Sequence, residues 1–331
     1  MNTSMIKKES MNPNIYEIWT QDLAKYYARG EKQVKAVDGI DIHMEPGIHG
    51  FLGPNGAGKT STINMVIGAI SITKGEAKIR GIKAGTVKSR KKVGFLPQDP
   101  GYCSKMTGRE YINFIAQMSG INKRKAEIKT NELIKKFDLN EAEDRKIETY
   151  SGGMKQKVGI ISALVGDPKI MILDEPTSDL DPIMRNNIIK EIKILSKEMS
   201  IFVSSHVLSE VEQMCNKVTI INKGKILVTD TIKNIKNMHS SANIIFILDT
   251  NSNNKIIQEL NGKDFIEKIW IDEIDDHLNI IPKNVEELQR SLPEILIKNN
   301  LLLKKFYQQE SSLQDVFLDM MNNDGEEINV N

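Results

Sequence analysis

Three aliphatic runs interrupt an otherwise mixed chain. Gly47-Ile-His-Gly-Phe-Leu52, Ile170-Met-Ile-Leu173 and Ile201-Phe-Val-Ser-Ser205 are mostly apolar without strict alternation; the first leads into a glycine-rich turn and the other two into polar residues. Uninterrupted short runs of this kind predict strands of a parallel sheet covered on both faces. Ile40, Ile42 and Met44 instead alternate with Asp41 and His43, as a half-buried strand should. Ile15 to Tyr27, Glu76 to Gly81 and Val93 to Pro97 read as further strands, and Val218–Asn222 with Lys225–Thr229 as a hairpin turned at Lys223-Gly224. Helical spacing governs the rest: Ile63, Val66, Ile67 and Ile70; Tyr111 to Met118; Ala126 to Phe137; Met154, Val158, Ile161 and Val165; Met184, Ile188 and Ile192. Strands alternating with helices predict an α/β fold, with residues of about 99–167 forming a mostly helical insertion.

The pattern changes after about Asp230. Asn243-Ile-Ile-Phe-Ile-Leu248 and Ile256 to Leu260, separated by Ser-Asn turns, suggest a small α/β appendage over 236–331. Ser311 and Gln314 resemble a capping box before a helix with Leu313, Val316, Phe317 and Met320 on one face. That face either packs on the chain's own core or docks a partner. Residues from Asn322, and a leader over 1–14, are expected to be disordered.

Candidate chemistry collects where the apolar runs end. Gly53 to Ser61 reads Gly-Pro-Asn-Gly-Ala-Gly-Lys-Thr-Ser, which matches the phosphate-loop pattern, with Asn55, Gly56 and Gly58 inside the turn. A strand feeding a glycine turn that opens a helix aims backbone N–H groups at one point, where the helix dipole favours negative charge. Lys59 would reach the β- and γ-phosphates and Thr60 would hold Mg²⁺. After the second run, Asp174 is placed to hold Mg²⁺ and Glu175 to orient or deprotonate water. His206 ends the third run; it is either a satisfied structural residue or, beside Gln98, Asp174 and Glu175, a γ-phosphate contact. Ser151 caps a helix that begins with Gly152 and Gly153, poor helix formers whose use points to a second anion at a bare N-terminus or to an ordinary cap. Asp181 before Pro182 reads as an N-cap. Tyr26 and Tyr27 either pack or stack on a base.

The chain has 331 residues, with 45 basic against 44 acidic side chains. A net charge of +1 argues against a nucleic-acid partner. Cys103 and Cys215 have no metal-like spacing, which fits a reducing cytoplasm. No apolar run approaches the roughly 20 residues a membrane helix needs, so any membrane served must be crossed by another chain.

The order phosphate loop, Gln98, Ser151-Gly-Gly153, Asp174-Glu175, Asp181, His206 resembles the nucleotide-binding subunit of ATP-binding cassette (ABC) transporters, over residues 15–235. The resemblance implies a RecA-like P-loop core with an antiparallel β-subdomain and the helical insertion. It implies that Tyr27 stacks on the base, Gln98 senses Mg²⁺ and water, and Ser151–Gly153 is the family signature. Glu175 would be the catalytic base, His206 the switch residue, and Ser61 and Asp181 part of the nucleotide site. Tyr150 and Met154 depart from the usual signature, and Asp179 stands where Gly or Ala is usual, adding negative charge near the expected dimer seam. The implied protein is an ATPase using ATP and Mg²⁺, working as an ATP-sandwich homodimer at the cytoplasmic face of a membrane with a separate permease chain. Glu310-Ser-Ser-Leu-Gln-Asp-Val-Phe317 is similar to the ending of exporter subunits. The competing expectation is a soluble relative acting on ribosomes or DNA, against which stand the single phosphate loop and the lack of sustained heptads.

Overall fold

The computed structural model describes residues 12–28, 33–240, 245–272, 275–309 and 312–326. The chain divides into two compact units, Met1–Ile232 and Lys233–Asn331. The leader expected over 1–14 lies outside the described residues up to Met11; beyond it Asn12 accepts from Asn14 N and opens a 3-10 turn over Pro13–Ile15. Those last leader residues are therefore ordered, because a capping side chain and a proline fix the turn.

The first unit begins with β1 (Ile18–Tyr27), β2 (Val34–Ile40), β3 (His43–Met44) and β4 (Ile48–Leu52), followed by α1 (Lys59–Ile67), β5 (Lys74–Ile79), β6 (Ile82–Lys83), α2 (Val87–Arg90) and β7 (Val93–Leu96). Strands β2-β1-β5-β6, with β3 on β1, form an antiparallel sheet. Its register is set by which face is buried: Ile18 lies opposite both Met44 and Ile79, and all three are fully buried. Trp19, on the other face, faces Lys78, whose ammonium lies 4.9 Å from the indole ring.

The chain continues through α3 (Gly108–Met118), α4 (Lys123–Lys136), α5 (Gly152–Leu164), β8 (Ile170–Asp174), α6 (Pro182–Leu195), β9 (Ser200–Ser205), α7 (Leu208–Met214), β10 (Lys217–Asn222) and β11 (Lys225–Thr231). A second sheet has the order β11-β10-β4-β9-β8-β7, parallel throughout except for the β10–β11 hairpin. Every residue of β4, β8 and β9 is buried, which is why these strands read as mainly apolar runs without alternation. Between β7 and β8 come the inserted helices, α3 opening on a full Thr107–Glu110 capping box.

The second unit takes up α8 (Ile232–Ser240) from the division onward, then β12 (Ile245–Thr250), α9 (Asn253–Leu260), β13 (Ile266–Ile271), β14 (Leu278–Pro282), α10 (Val285–Lys298), β15 (Leu303–Gln309) and α11 (Leu313–Glu326). Its antiparallel sheet has the order β13-β14-β12-β15. One face carries Phe246, Leu248, Leu278 and Ile280 into an apolar core with Ile256, Leu260, Leu288 and Leu292 from α9 and α10. Phe246 stacks on Phe306 with ring centroids 5.2 Å apart. Ser311 of the expected cap and Asn243 lie outside the described residues. Helix α11 continues through Glu326, past Asn322 where the sequence suggests disorder, since the buried Leu313 and Val316 seat its first turn and helix propagation costs little thereafter.

Candidate functional site

Strand order decides what meets what. Because β4, β9, β8 and β7 are neighbours and parallel, their carboxyl ends set the phosphate loop, His206, Asp174-Glu175 and Gln98 side by side at one sheet edge. Ligands of open α/β sheets bind at that edge. A cleft of about 310 Å³ lies there, lined by Ala36, Asn55, Gly56, Gly58, Lys59, Thr60, Ser61, Gln98 and Glu175.

The loop's glycines are imposed by backbone. A Cβ on Gly53 would sit 2.3 Å from the Ile221 carbonyl oxygen, and one on Gly58 would sit 2.4 Å from that of Ala36. Gly58 also has φ +108° and Gly56 φ +81°, left-handed values that L side chains disfavour. Gly58 caps α1 without a side-chain bond, so the first N–H groups of the helix are left for a ligand. Lys59 is buried, and its ammonium is held by the carbonyls of Gly53 at 2.7 Å and Pro54 at 3.3 Å.

Facing the lysine is Glu175, 5% exposed and at φ +51°. A left-handed conformation costs a residue with a Cβ about 1–2 kcal/mol, so the turn must be held from outside. Ser204 of β9 does part of this: its hydroxyl accepts from Glu175 N at 2.9 Å and donates to Asp174 Oδ1 at 2.5 Å. The Glu175 Oε2 oxygen is 2.8 Å from His206 Nδ1. Its Oε1 oxygen is 3.1 Å from Lys59 Nζ, an ion pair without hydrogen-bond alignment, so Oε1 is a buried acceptor with no hydrogen bond. Buried polar atoms are nearly always satisfied, and an acceptor left open in the cleft fits a water that donates to it. Burial pushes the Asp174 carboxyl above the usual carboxylate range, against the pull of hydrogen bonds from Ser204 and Thr60. Mg²⁺ commonly takes one or two carboxylates together with substrate phosphates, and Thr60 with Asp174 offers such oxygens.

Other expected site residues lie apart from this cleft. Tyr27 is 43% exposed at the end of β1, with the Lys25 ammonium 5.2 Å from its ring, and does not line it. Tyr26 is engaged differently, its hydroxyl donating to Asp38 at 2.5 Å. Asp181 caps α6, accepting from Ile183 N and Met184 N at 3.0 Å. Ser151 caps α5 through Met154 N, and Ser151 and Gly152 are exposed. Gly152 has only ordinary contacts behind it, whereas a Cβ on Gly153 would meet the terminal methyl of Met184 at 2.0 Å. Tyr150, the departure from the usual signature, is buried and donates to the Ala142 carbonyl at 2.6 Å, anchoring the turn from below. Sequence reasoning passed over Ser204 and Ala36. The signal for Ser204 was present, since two hydroxyl residues close an otherwise aliphatic strand.

A family model described as ABC transporter matches residues 37–178. The chain is 34% identical over 308 residues to an uncharacterized ABC transporter ATP-binding protein of Bacillus subtilis, covering 90% of this chain and 97% of that one. It is 33% identical over 311 residues to the bacitracin transport ATP-binding protein BcrA of Bacillus licheniformis, covering 92% and 97%. Among solved structures, a dimeric ATP-binding cassette in a post-hydrolysis state bound to ADP and Pi superposes with a TM-score of 0.59 at 22% identity, over 65% of this chain and 98% of that one. That last likeness is one of fold.

Proposed function

Since the chain belongs to the ABC transporter family, as one of its ATP-binding proteins, we propose that it is the ATP-hydrolysing motor subunit of a transporter, an exporter whose membrane-crossing part is a separate chain. The observation that carries this reading is the line Lys59–Glu175–His206 across the cleft, with a buried Glu175 oxygen left without a hydrogen bond. Lys59 and the loop N–H groups bind the phosphates. Glu175 orients and deprotonates the attacking water, and His206, hydrogen-bonded to it, contacts the γ-phosphate. Thr60 and Asp174 would hold Mg²⁺, with Gln98 sensing the ion and water, and the ion would supply neutralisation of negative charge on the phosphates.

Tyr27 and Ser151–Gly153 lie outside their own chain's cleft. In this reading Tyr27 carries the base at its exposed ring, and the signature turn belongs to the site of a second copy, closing over an ATP held by Lys59 of the first. Asp181, the N-cap of α6, belongs to the nucleotide site in the same reading. Among the described residues no helix is long and apolar enough to cross a membrane, which suits a subunit held at the cytoplasmic face by a partner. The bacitracin transport relative supports a role in transport.

Purified protein is expected to release phosphate from ATP in the presence of Mg²⁺. Glu175→Gln should slow the release by about 100-fold or more while nucleotide binding persists. An unchanged rate in that variant would remove Glu175 from the role of base.

A further inference from the structure

Glu210, on α7, is 2% exposed and does not line the cleft, yet its carboxylate joins three elements around it. Oε2 accepts from the Thr177 hydroxyl at 2.5 Å and from the Ser205 hydroxyl at 3.2 Å. Oε1 lies 3.1 Å from Arg185 Nε of α6, an ion pair whose N–H is not aimed at the oxygen. Thr177 stands two residues after Glu175 and Ser205 one before His206. The Ser205 hydroxyl also accepts from Val207 N at 3.0 Å, and Arg185 donates to the Leu180 carbonyl at 3.4 Å. One carboxylate thus ties the segment that follows Glu175 to the strand end that presents His206, and ties both to the start of α6.

A buried carboxylate is a costly way to fill space, since a leucine would pack without desolvation. What a carboxylate supplies here is one oxygen, Oε2, that accepts from two hydroxyls, one in the turn after β8 and one at the end of β9, and a second oxygen beside Arg185. Glu175 needs such an outside hold because its backbone is left-handed, and its 2.8 Å contact with His206 depends on both strand ends keeping their relative height.

We propose that Glu210 is a positioning residue for hydrolysis, holding Glu175 and His206 in register through Thr177 and Ser205, with Arg185 carrying the same tie to the 177–181 segment. This rests on the reading of Glu175 as the base. It goes beyond that reading by making the alignment of the pair depend on a carboxylate that touches neither nucleotide nor water.

The experiment compares Thr177→Val, Thr177→Ser and Glu210→Gln in the full chain, with thermal melting as the check on folding. Two readouts are taken: steady-state phosphate release against ATP concentration, and the ¹⁵N resonances of the His206 ring in histidine-labelled protein. Thr177→Val and Glu210→Gln should each lower kcat by about tenfold or more, with KM for ATP within about threefold, because a small misplacement of the base hurts chemistry more than binding. Both should shift the His206 Nδ1 resonance, and Thr177→Ser, which keeps the hydroxyl, should restore kcat and resonance alike. If the folded Thr177→Val and Glu210→Gln proteins keep the wild-type His206 resonance, the proposal is overturned. It is overturned equally if Thr177→Ser fails to restore what Thr177→Val loses. A wild-type chain that releases no phosphate defeats the hydrolase reading instead, while the His206 resonances still decide whether Glu210 holds the pair.

Discussion

Two glycine turns open two helices in the first unit, and they are built to different standards. At the phosphate loop, main-chain oxygens of Ile221 and Ala36 forbid a Cβ on Gly53 and Gly58, and Lys59, Glu175 and the β7 and β8 strand ends close around the turn. At Ser151–Gly153 nothing of the kind operates. Gly152 has ordinary contacts at 3.5 Å and beyond, and Gly153 faces the flexible end of Met184. The chain's own packing requires the first pair of glycines and barely requires the second. Glycine in a first helical turn costs of the order of 1 kcal/mol against alanine, so the signature turn forgoes stability without an intrachain return. A ligand edge presented by another copy would explain it.

What lies behind each turn also differs. Strand β4, which feeds the phosphate loop, contains His49, almost fully buried, hydrogen-bonded to Thr219 at 2.8 Å and stacked on Phe202. Burial pushes its imidazole down from 6.5 to about 3. The folded protein therefore keeps His49 neutral while the unfolded chain protonates it. Stability present above pH 6.5 is lost as pH falls toward 3, by on the order of 4 kcal/mol at the bottom of the window. Tyr150 behind the signature turn has its hydroxyl pushed upward by burial, so it stays neutral throughout that range. Denaturant titrations at pH 7 and pH 4 should show His49→Gln losing much less of its own pH 7 stability than wild type does; equal losses would place the acid sensitivity elsewhere.

A smaller effect separates the glycines. Gly53→Ala should destabilise the fold by about 1–3 kcal/mol, because the obstructing atom is a carbonyl oxygen that cannot swing aside. A melting temperature equal to wild type would break the contrast. Gly152→Ala is the mirror experiment and the smallest in stability: a gain of up to about 1 kcal/mol, together with a loss of ATP-driven phosphate release. If that variant is stabilised and fully active, the turn has no nucleotide role.

Much of the phosphate side was legible from residue order alone. The mostly apolar runs at 48–52, 170–173 and 201–205 read as buried strands, and the polar residues ending the last two gave Asp174, Glu175 and His206. Asp181 and Ser151 were legible as caps, since capping is decided within a few residues. Glu210 and His49 were not, for a local pattern cannot say which distant hydroxyls a side chain will meet across strands brought together by the fold. The Thr107–Glu110 capping box was readable and passed over. The closeness of Gly153 to Met184 of α6 is a tertiary fact, invisible in the turn itself.

In the proposed reading the two turns complete one nucleotide site only between copies. Sedimentation velocity of Glu175→Gln at saturating ATP with Mg²⁺ tests it most directly. A dimer is expected that returns to monomer when ATP is removed and fails to form when Gly152→Ala is added. A Glu175→Gln chain that binds ATP and remains monomeric would contradict it.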